Sequence, residues 1–200
     1  MRRVFLKSLA AAAFALLAGV SLAQENDLAP ENILNLEIAG EANGVIQIIL
    51  RPDIAPLHVE RIKALTRSGA YDGIAFHRVI DGFMAQTGDV KFGNAQSYQP
   101  GRAGTGGSEM PNVPAEFSDL AFDTGVVGMA SSRKPDSANS QFFIMFEPRN
   151  SLNGNYTVFG RVVEGMDIVH SIKRGDGDNG GTVAEKPDFI VRAWITGDAP

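Results

Sequence analysis

The sequence predicts a mostly β domain, a barrel or a sandwich, and three observations carry that expectation. Short runs rich in β-branched and aromatic residues recur along the chain, about eight of them, each bounded by Gly, Pro, Asn or Asp. Only two segments show helical spacing. No alternation of strand and helix of the kind that builds a parallel sheet is present.

The first residues of the 200-residue chain are not counted as fold. Arg2, Arg3 and Lys7 precede a run of small and apolar residues from Ser8 to Leu22, which ends in Ser21-Leu22-Ala23. A basic start, an apolar middle and a small-residue end are the pattern of an export signal. Residues 1–23 are therefore expected to be cleaved, 24–32 to form a flexible lead-in and 33–200 to form one domain in the periplasm or the medium. The apolar run is short for a membrane span, which needs roughly 20 apolar residues. Every later apolar run is cut by a charge, Gly or Pro, so no membrane insertion is expected after cleavage.

Cleavage would leave 15 basic and 23 acidic residues, a net charge of −8. So acidic a domain has no general attraction for nucleic acid or anionic lipid, and no Lys/Arg block provides a local one. The chain has no cysteine, which excludes disulfides and thiolate metal sites. A domain of this length buries enough surface to need neither, and a monomer is expected.

In chain order, Leu34, Leu36 and Ile38 alternate with Asn35, Glu37 and Ala39, which predicts a strand with one buried face. Glu41-Ala42-Asn43-Gly44 turns it into a second strand over 45–50, so the pair reads as a hairpin. The period then becomes helical: Val59, Ile62 and Leu65 recur every three residues, Pro56 stands near the start and Gly69 lies just beyond Arg67. His58, Glu60, Arg61 and Lys63 are expected on the solvated face of this helix. Residues 74–80 and 83–89 are apolar runs joined by Asp81-Gly82, a strong reversal signal. From 91 to 124, repeated Gly and Pro break every period and predict a long ordered loop, a feature usually tied to function. Strands return at 126–130, 141–146 and 156–163, with a turn around Leu152 before the last. Met166, Val169 and Ile172 mark a short helix, and 189–195 closes the chain as a strand.

Residues 175–180 have G-x-G-x-x-G spacing, but a helix precedes them and none follows, the reverse of the dinucleotide-binding order. The same stretch places Pro187 where a calcium loop needs its terminal Glu, so a surface turn is expected. His58, His77 and His170 are scattered, and no G-x-S-x-G occurs, which leaves a metal-dependent or serine hydrolase little support. What remains unusual is Arg78 in an apolar strand between Phe76 and Phe83. Burying a guanidinium is costly unless it is paired or half exposed. The residues alone leave two readings open, a structural arginine paired or snorkelling at a barrel end, and a functional one.

The stretch Phe76-His77-Arg78-Val79-Ile80-Asp81-Gly82-Phe83-Met84-Ala85-Gln86-Thr87-Gly88-Asp89 resembles the signature of the cyclophilin family of peptidyl-prolyl isomerases. Gly104-Thr105-Gly106-Gly107, Gly128-Met129-Ala130, Ser140-Gln141-Phe142-Phe143-Ile144 and Leu152-Asn153-Gly154 follow in the family's order. The likeness runs from about Leu36 to Ile195. It implies a closed eight-stranded antiparallel β-barrel capped by two α-helices. It further implies Arg78 as the catalytic arginine with Gln86 holding substrate backbone beside it, and a proline pocket of Phe83, Met84, Phe143 and Leu152. The backbone at Ala130 and Ser131 would anchor the peptide, with Gln141 along the groove. Tyr156 joins the expected substrate-binding set where many members have His. Ser151 stands where many have the Trp that helps to bind cyclosporin, so weak cyclosporin binding is expected.

The implied partners are proline-containing unfolded or partly folded polypeptides, and no cofactor or metal is required. A cyclophilin-shaped module that holds such segments as a chaperone, without turnover, is the alternative. The presence of Arg78, Phe83, Gln86 and Phe143 argues against it.

Overall fold

The computed structural model describes residues 29–132 and 134–198. The expected export signal, 1–23, lies outside them, as do residues 24–28 of the expected lead-in; Pro30–Asn32 forms a 3-10 turn packed against a second one at Thr196–Asp198.

Among the described residues, eight strands form one antiparallel sheet: β1 (Ile33–Ala39), β2 (Gly44–Leu50), β3 (Arg78–Ile80), β4 (Met84–Thr87), β5 (Val126–Met129), β6 (Phe142–Met145), β7 (Val158–Glu164) and β8 (Phe189–Ile195). Their spatial order is β3-β4-β6-β5-β7-β2-β1-β8. Alternation decides which side chains go inward. Leu34, Leu36 and Ile38 of β1 are buried with Ile46, Ile48 and Leu50 of β2, as period-two spacing requires.

The sheet is a curled half-barrel, and the expected full closure is not observed. β3 is shorter than the predicted strand over 74–80, because Ile74 and Ala75 make isolated bridges to Asn94 and Phe189 instead of a ladder. The seam is still stitched. Ile190 N donates to Ile74 O at 2.9 Å, Phe76 N to Asp188 O at 2.8 Å, Val183 N to His77 O at 3.0 Å and Val79 N to Gly181 O at 2.7 Å. Residues 184–187 loop out between these contacts, so the pairing never becomes continuous.

Helix α1 (Pro56–Arg67) packs on β7 and β8 through Val59, Ile62 and Leu65. Burying each of these side chains stabilises the fold by about 1.5–3 kcal/mol. The helix starts with Pro56 in its first turn and stops at Gly69, whose φ of 70° lets Ala70 N and Gly69 N fold back onto Leu65 O and Thr66 O. Helix α2 (Met166–Ser171) packs on β2 and buries Val169.

The polar face of α1 departs from its helical wheel. His58 and Arg61, expected in solvent, are 0% and 8% exposed. The 91–124 loop covers that side. Arg61 donates to Pro111 O and Asn139 O, at 2.6 and 3.1 Å, and the His58 Nδ1 lies 2.6 Å from Glu116 Oε2. A cover supplied by a distant loop leaves no mark on local periodicity.

Candidate active site

The Asp81-Gly82 turn, with Gly82 at φ 63°, folds β3 onto β4 so that Arg78 pairs with Gln86 and Ile80 with Met84. β4 then pairs with β6, placing Gln86 opposite Phe143, and β6 with β5, placing Phe143 opposite Gly128. One row across four strands thus reads Arg78, Gln86, Phe143, Gly128. Because side chains alternate along a strand, this row faces away from Ala85, Phe142 and Ile144, which fill the main core. A second apolar cluster grows on this other face from Met84, Phe122, Val126, Phe143, Met145 and Val158.

Gly128 contributes no side chain, and the vacated space is taken by two rings. A Cβ there would lie 2.6 Å from Phe122 and 2.8 Å from Phe143. Phe122 and Phe143 stack with centroids 5.7 Å apart, and Tyr156 meets them edge-on at 6.5 and 5.8 Å. Between these rings and β3 lies a cavity of about 190 Å³, lined by Arg78, Phe83, Met84, Gln86, Ala130, Ser131, Phe143, Leu152 and Tyr156. Nine of the ten residues that the resemblance implies line it. The tenth, Gln141, lines an adjoining polar cavity of about 270 Å³ that shares Gln86, Ala130 and Ser131 with the first.

Arg78 is held at the mouth by two acceptors. Its Nε donates to Gly180 O at 3.0 Å and a terminal nitrogen donates to Gln86 Oε1 at 3.2 Å. Gln86 Nε2 donates in turn to Gln141 Oε1 at 2.9 Å, and Gln141 Nε2 to Gly104 O and Gly106 O at 3.0 and 2.7 Å. Burial draws the guanidinium below its ordinary pKa, opposed by Tyr156. An arginine stays charged through any such change. The site is therefore a fixed cationic donor beside an apolar slot, able to seat a compact apolar ring and hydrogen-bond the amide attached to it.

Residues 33–194 match the family model described as "Cyclophilin type peptidyl-prolyl cis-trans isomerase/CLD". The chain belongs to the cyclophilin-type peptidyl-prolyl cis-trans isomerases. It is 53% identical over 196 residues to a "Probable peptidyl-prolyl cis-trans isomerase" of Brucella suis, covering 97% of this chain and 98% of that one. It is 36% identical over 137 residues to "Peptidyl-prolyl cis-trans isomerase B" of Bacillus subtilis, covering 68% and 88%. Among solved structures, cyclophilin AquaCyp293 from Hirschia baltica superposes with a TM-score of 0.70 at 27% identity, covering 86% of this chain and 76% of that one. A Cryptosporidium parvum cyclophilin-type isomerase, crystallised in the presence of the dipeptide Ala-Pro, superposes with a TM-score of 0.67 at 26% identity, covering 82% and 98%. The protein is a peptidyl-prolyl cis-trans isomerase of this type.

Two parts of the cyclophilin site were not legible in the sequence. Phe122 packs behind the slot, stacked on Phe143 and edge-on to Tyr156, but stands in a Gly- and Pro-rich loop, with no period to mark it as buried. Gly180 O anchors Arg78, yet a backbone carbonyl in a turn carries no side-chain signal at all.

Proposed function

We propose that this cyclophilin accelerates rotation about X-Pro bonds in exported polypeptides, in the periplasm or the medium, while they fold. Arg78 is its catalytic donor. The export signal read from residues 1–23 supports the compartment, and the Ala-Pro dipeptide used with the Cryptosporidium relative supports the substrate class. The observation that carries the mechanism is the guanidinium held by Gly180 O and Gln86 at the mouth of an apolar slot.

Rotation about a peptide bond faces a barrier of roughly 18–20 kcal/mol because the C–N bond has partial double-bond character. The reaction needs no nucleophile, metal or cofactor. Phe83, Met84, Phe143, Leu152 and Tyr156 hold the proline ring still, while Gln86, Gln141 and the backbone at Ala130 and Ser131 hold the chain on either side. As the bond twists, resonance is lost and the proline nitrogen becomes a better acceptor. A donation from Arg78 to it strengthens in the twisted state and is weak in both planar forms.

One charged hydrogen bond is worth roughly 1.5–3 kcal/mol, or about one to two decades of rate. Desolvation in the slot and restraint of the peptide supply the remainder. Replacing Arg78 by Ala, assayed by NMR exchange or protease coupling on an Ala-Pro peptide, is expected to remove most turnover while the circular dichroism spectrum is unchanged. Full turnover in that variant would overturn the reading. Ser151, exposed in the turn Asn150–Leu152, supports weak cyclosporin binding, measurable by titration of the wild-type protein.

A further inference from the structure

We infer that Asp89, which does not line the slot, is a positioning residue for Arg78, acting through the 104–106 loop, Gln141 and Gln86. The inference rests on the proposal that Arg78 is the catalytic donor.

Asp89 is 0% exposed. A carboxylate in such a place persists only when its oxygens are well satisfied. Here four backbone N–H groups do so. Oδ1 accepts from Lys91 N and Phe92 N at 3.1 and 2.9 Å, and Oδ2 from Gly104 N and Gly106 N at 2.7 and 2.9 Å. One side chain therefore ties the start of the long loop to its middle. The fit leaves no room at the second tie: a Cβ on Gly106 would lie 2.5 Å from Asp89 Oδ1, and one on Gly104, at φ 92°, would meet the His77 ring at 2.9 Å.

With their N–H groups turned toward Asp89, Gly104 and Gly106 present their carbonyls to Gln141, and these two oxygens occupy Gln141 Nε2. That fixes which end of the carboxamide points where. Gln141 Oε1 faces Gln86, so Gln86 must offer Nε2 to it and is left with Oε1 facing Arg78. Reversing either amide would set N–H against N–H. The orientation of the acceptor beside the catalytic arginine is thus decided by a carboxylate three links away. If the anion is removed, the loop loses its tie, Gln141 can turn over, and Gln86 can present a donor to the guanidinium.

If Asp89 were merely structural, replacing it would lower stability and leave the chemistry of folded molecules unchanged. Replacing a positioning Asp89 lowers kcat through Gln141. The test compares Asp89→Asn, Gln141→Ala and the double variant, each measured for thermal unfolding and for kcat and KM on an Ala-Pro peptide. The loss of one hydrogen-bond link predicts a drop of about tenfold in kcat for each single variant, with KM changed far less. The double variant should be no slower than Gln141→Ala alone, because both act on one relay. The Arg78 Nε–H resonance should also move in Asp89→Asn.

Additive losses, or Asp89→Asn with wild-type kcat and an unmoved Arg78 resonance, would overturn the inference. Should Asp89→Asn fail to fold, Gly106→Ala displaces the loop from the carboxylate and replaces it in the same comparison. Arg78→Ala with full turnover sinks the catalytic reading itself. Arg78→Ala inactive beside a fully active Asp89→Asn sinks only the inference.

Discussion

Arg78 and Gln86 face each other across β3 and β4, and the guanidinium donates to the Gln86 carboxamide oxygen at 3.2 Å while its Nε is held by Gly180 O at 3.0 Å. Two acceptors fix the plane of the fork, and its other N–H groups have no hydrogen-bond partner among the described residues. A lysine keeps the charge but has one nitrogen and no plane. Arg78→Lys should therefore bind an Ala-Pro peptide with nearly unchanged KM and lose about 10- to 100-fold in kcat, the range of one charged hydrogen bond. Steady-state kinetics checks this, and a variant with wild-type kcat would show that charge alone suffices.

Gly128 is needed for its lack of a side chain, since a Cβ would sit 2.6 Å from Phe122 and 2.8 Å from Phe143. Gly128→Ala should push the stacked rings into the slot. Overpacking of this kind typically costs about 1–3 kcal/mol, and the slot should narrow enough to raise KM several-fold with kcat less affected. Urea unfolding and kinetics on one preparation test both halves. An Ala variant with unchanged KM would mean that the rings yield backwards into the core.

Helix α1 has Ala55 at its N-cap and therefore no local side-chain acceptor. Glu116, 59 residues beyond Leu57 in the chain, takes that role: Oε1 accepts from Leu57 N at 3.1 Å, and Oε2 from His58 N at 3.0 Å beside the His58 ring. Glu116→Ala removes a cap, worth about 0.5–2 kcal/mol, and also leaves the buried His58 Nδ1 unpaired. A loss of about 2–3 kcal/mol follows from the two together. Glu116→Gln, which can still accept from the helix, should recover a good part of it in chemical unfolding.

How much of this was legible beforehand depends on whether a feature is local. The alternation in 34–38, the Asp81-Gly82 reversal and the spacing of Val59, Ile62 and Leu65 are read from neighbours in the chain, and they match β1, the β3–β4 hairpin and α1. The residues that line the slot could be grouped only through the resemblance, because the row Arg78, Gln86, Phe143, Gly128 depends on strand register across β4, β6 and β5. Composition could not choose between a structural and a functional Arg78. His58, Arg61 and Phe122 were misread or missed for one shared reason: the 91–124 loop that covers or supplies them has no period, so nothing local tells where it lies.

His77 lies under Gly104 at 3% exposure. Burial pushes its pKa from 6.5 down to about 4, with Asp89 nearby opposing the change. The unfolded chain takes up this proton near pH 6.5, and the folded one not until about pH 4. Between those values the unfolded state binds more protons, so stability rises with pH and is lost on acidification through that window. The loss is about 3 kcal/mol in all for His77, and it levels off below about pH 4, where both states are protonated. His58, also drawn down mainly by burial, adds to it with the same sign. Urea midpoints at pH 7.5, 6, 5 and 4.5 should fall steadily for the wild type. His77→Gln, whatever its starting stability, should fall less steeply over the same range. Parallel curves for the two proteins would mean that the folded state accommodates a charged imidazole at this position, and that the 104–106 loop moves to let it.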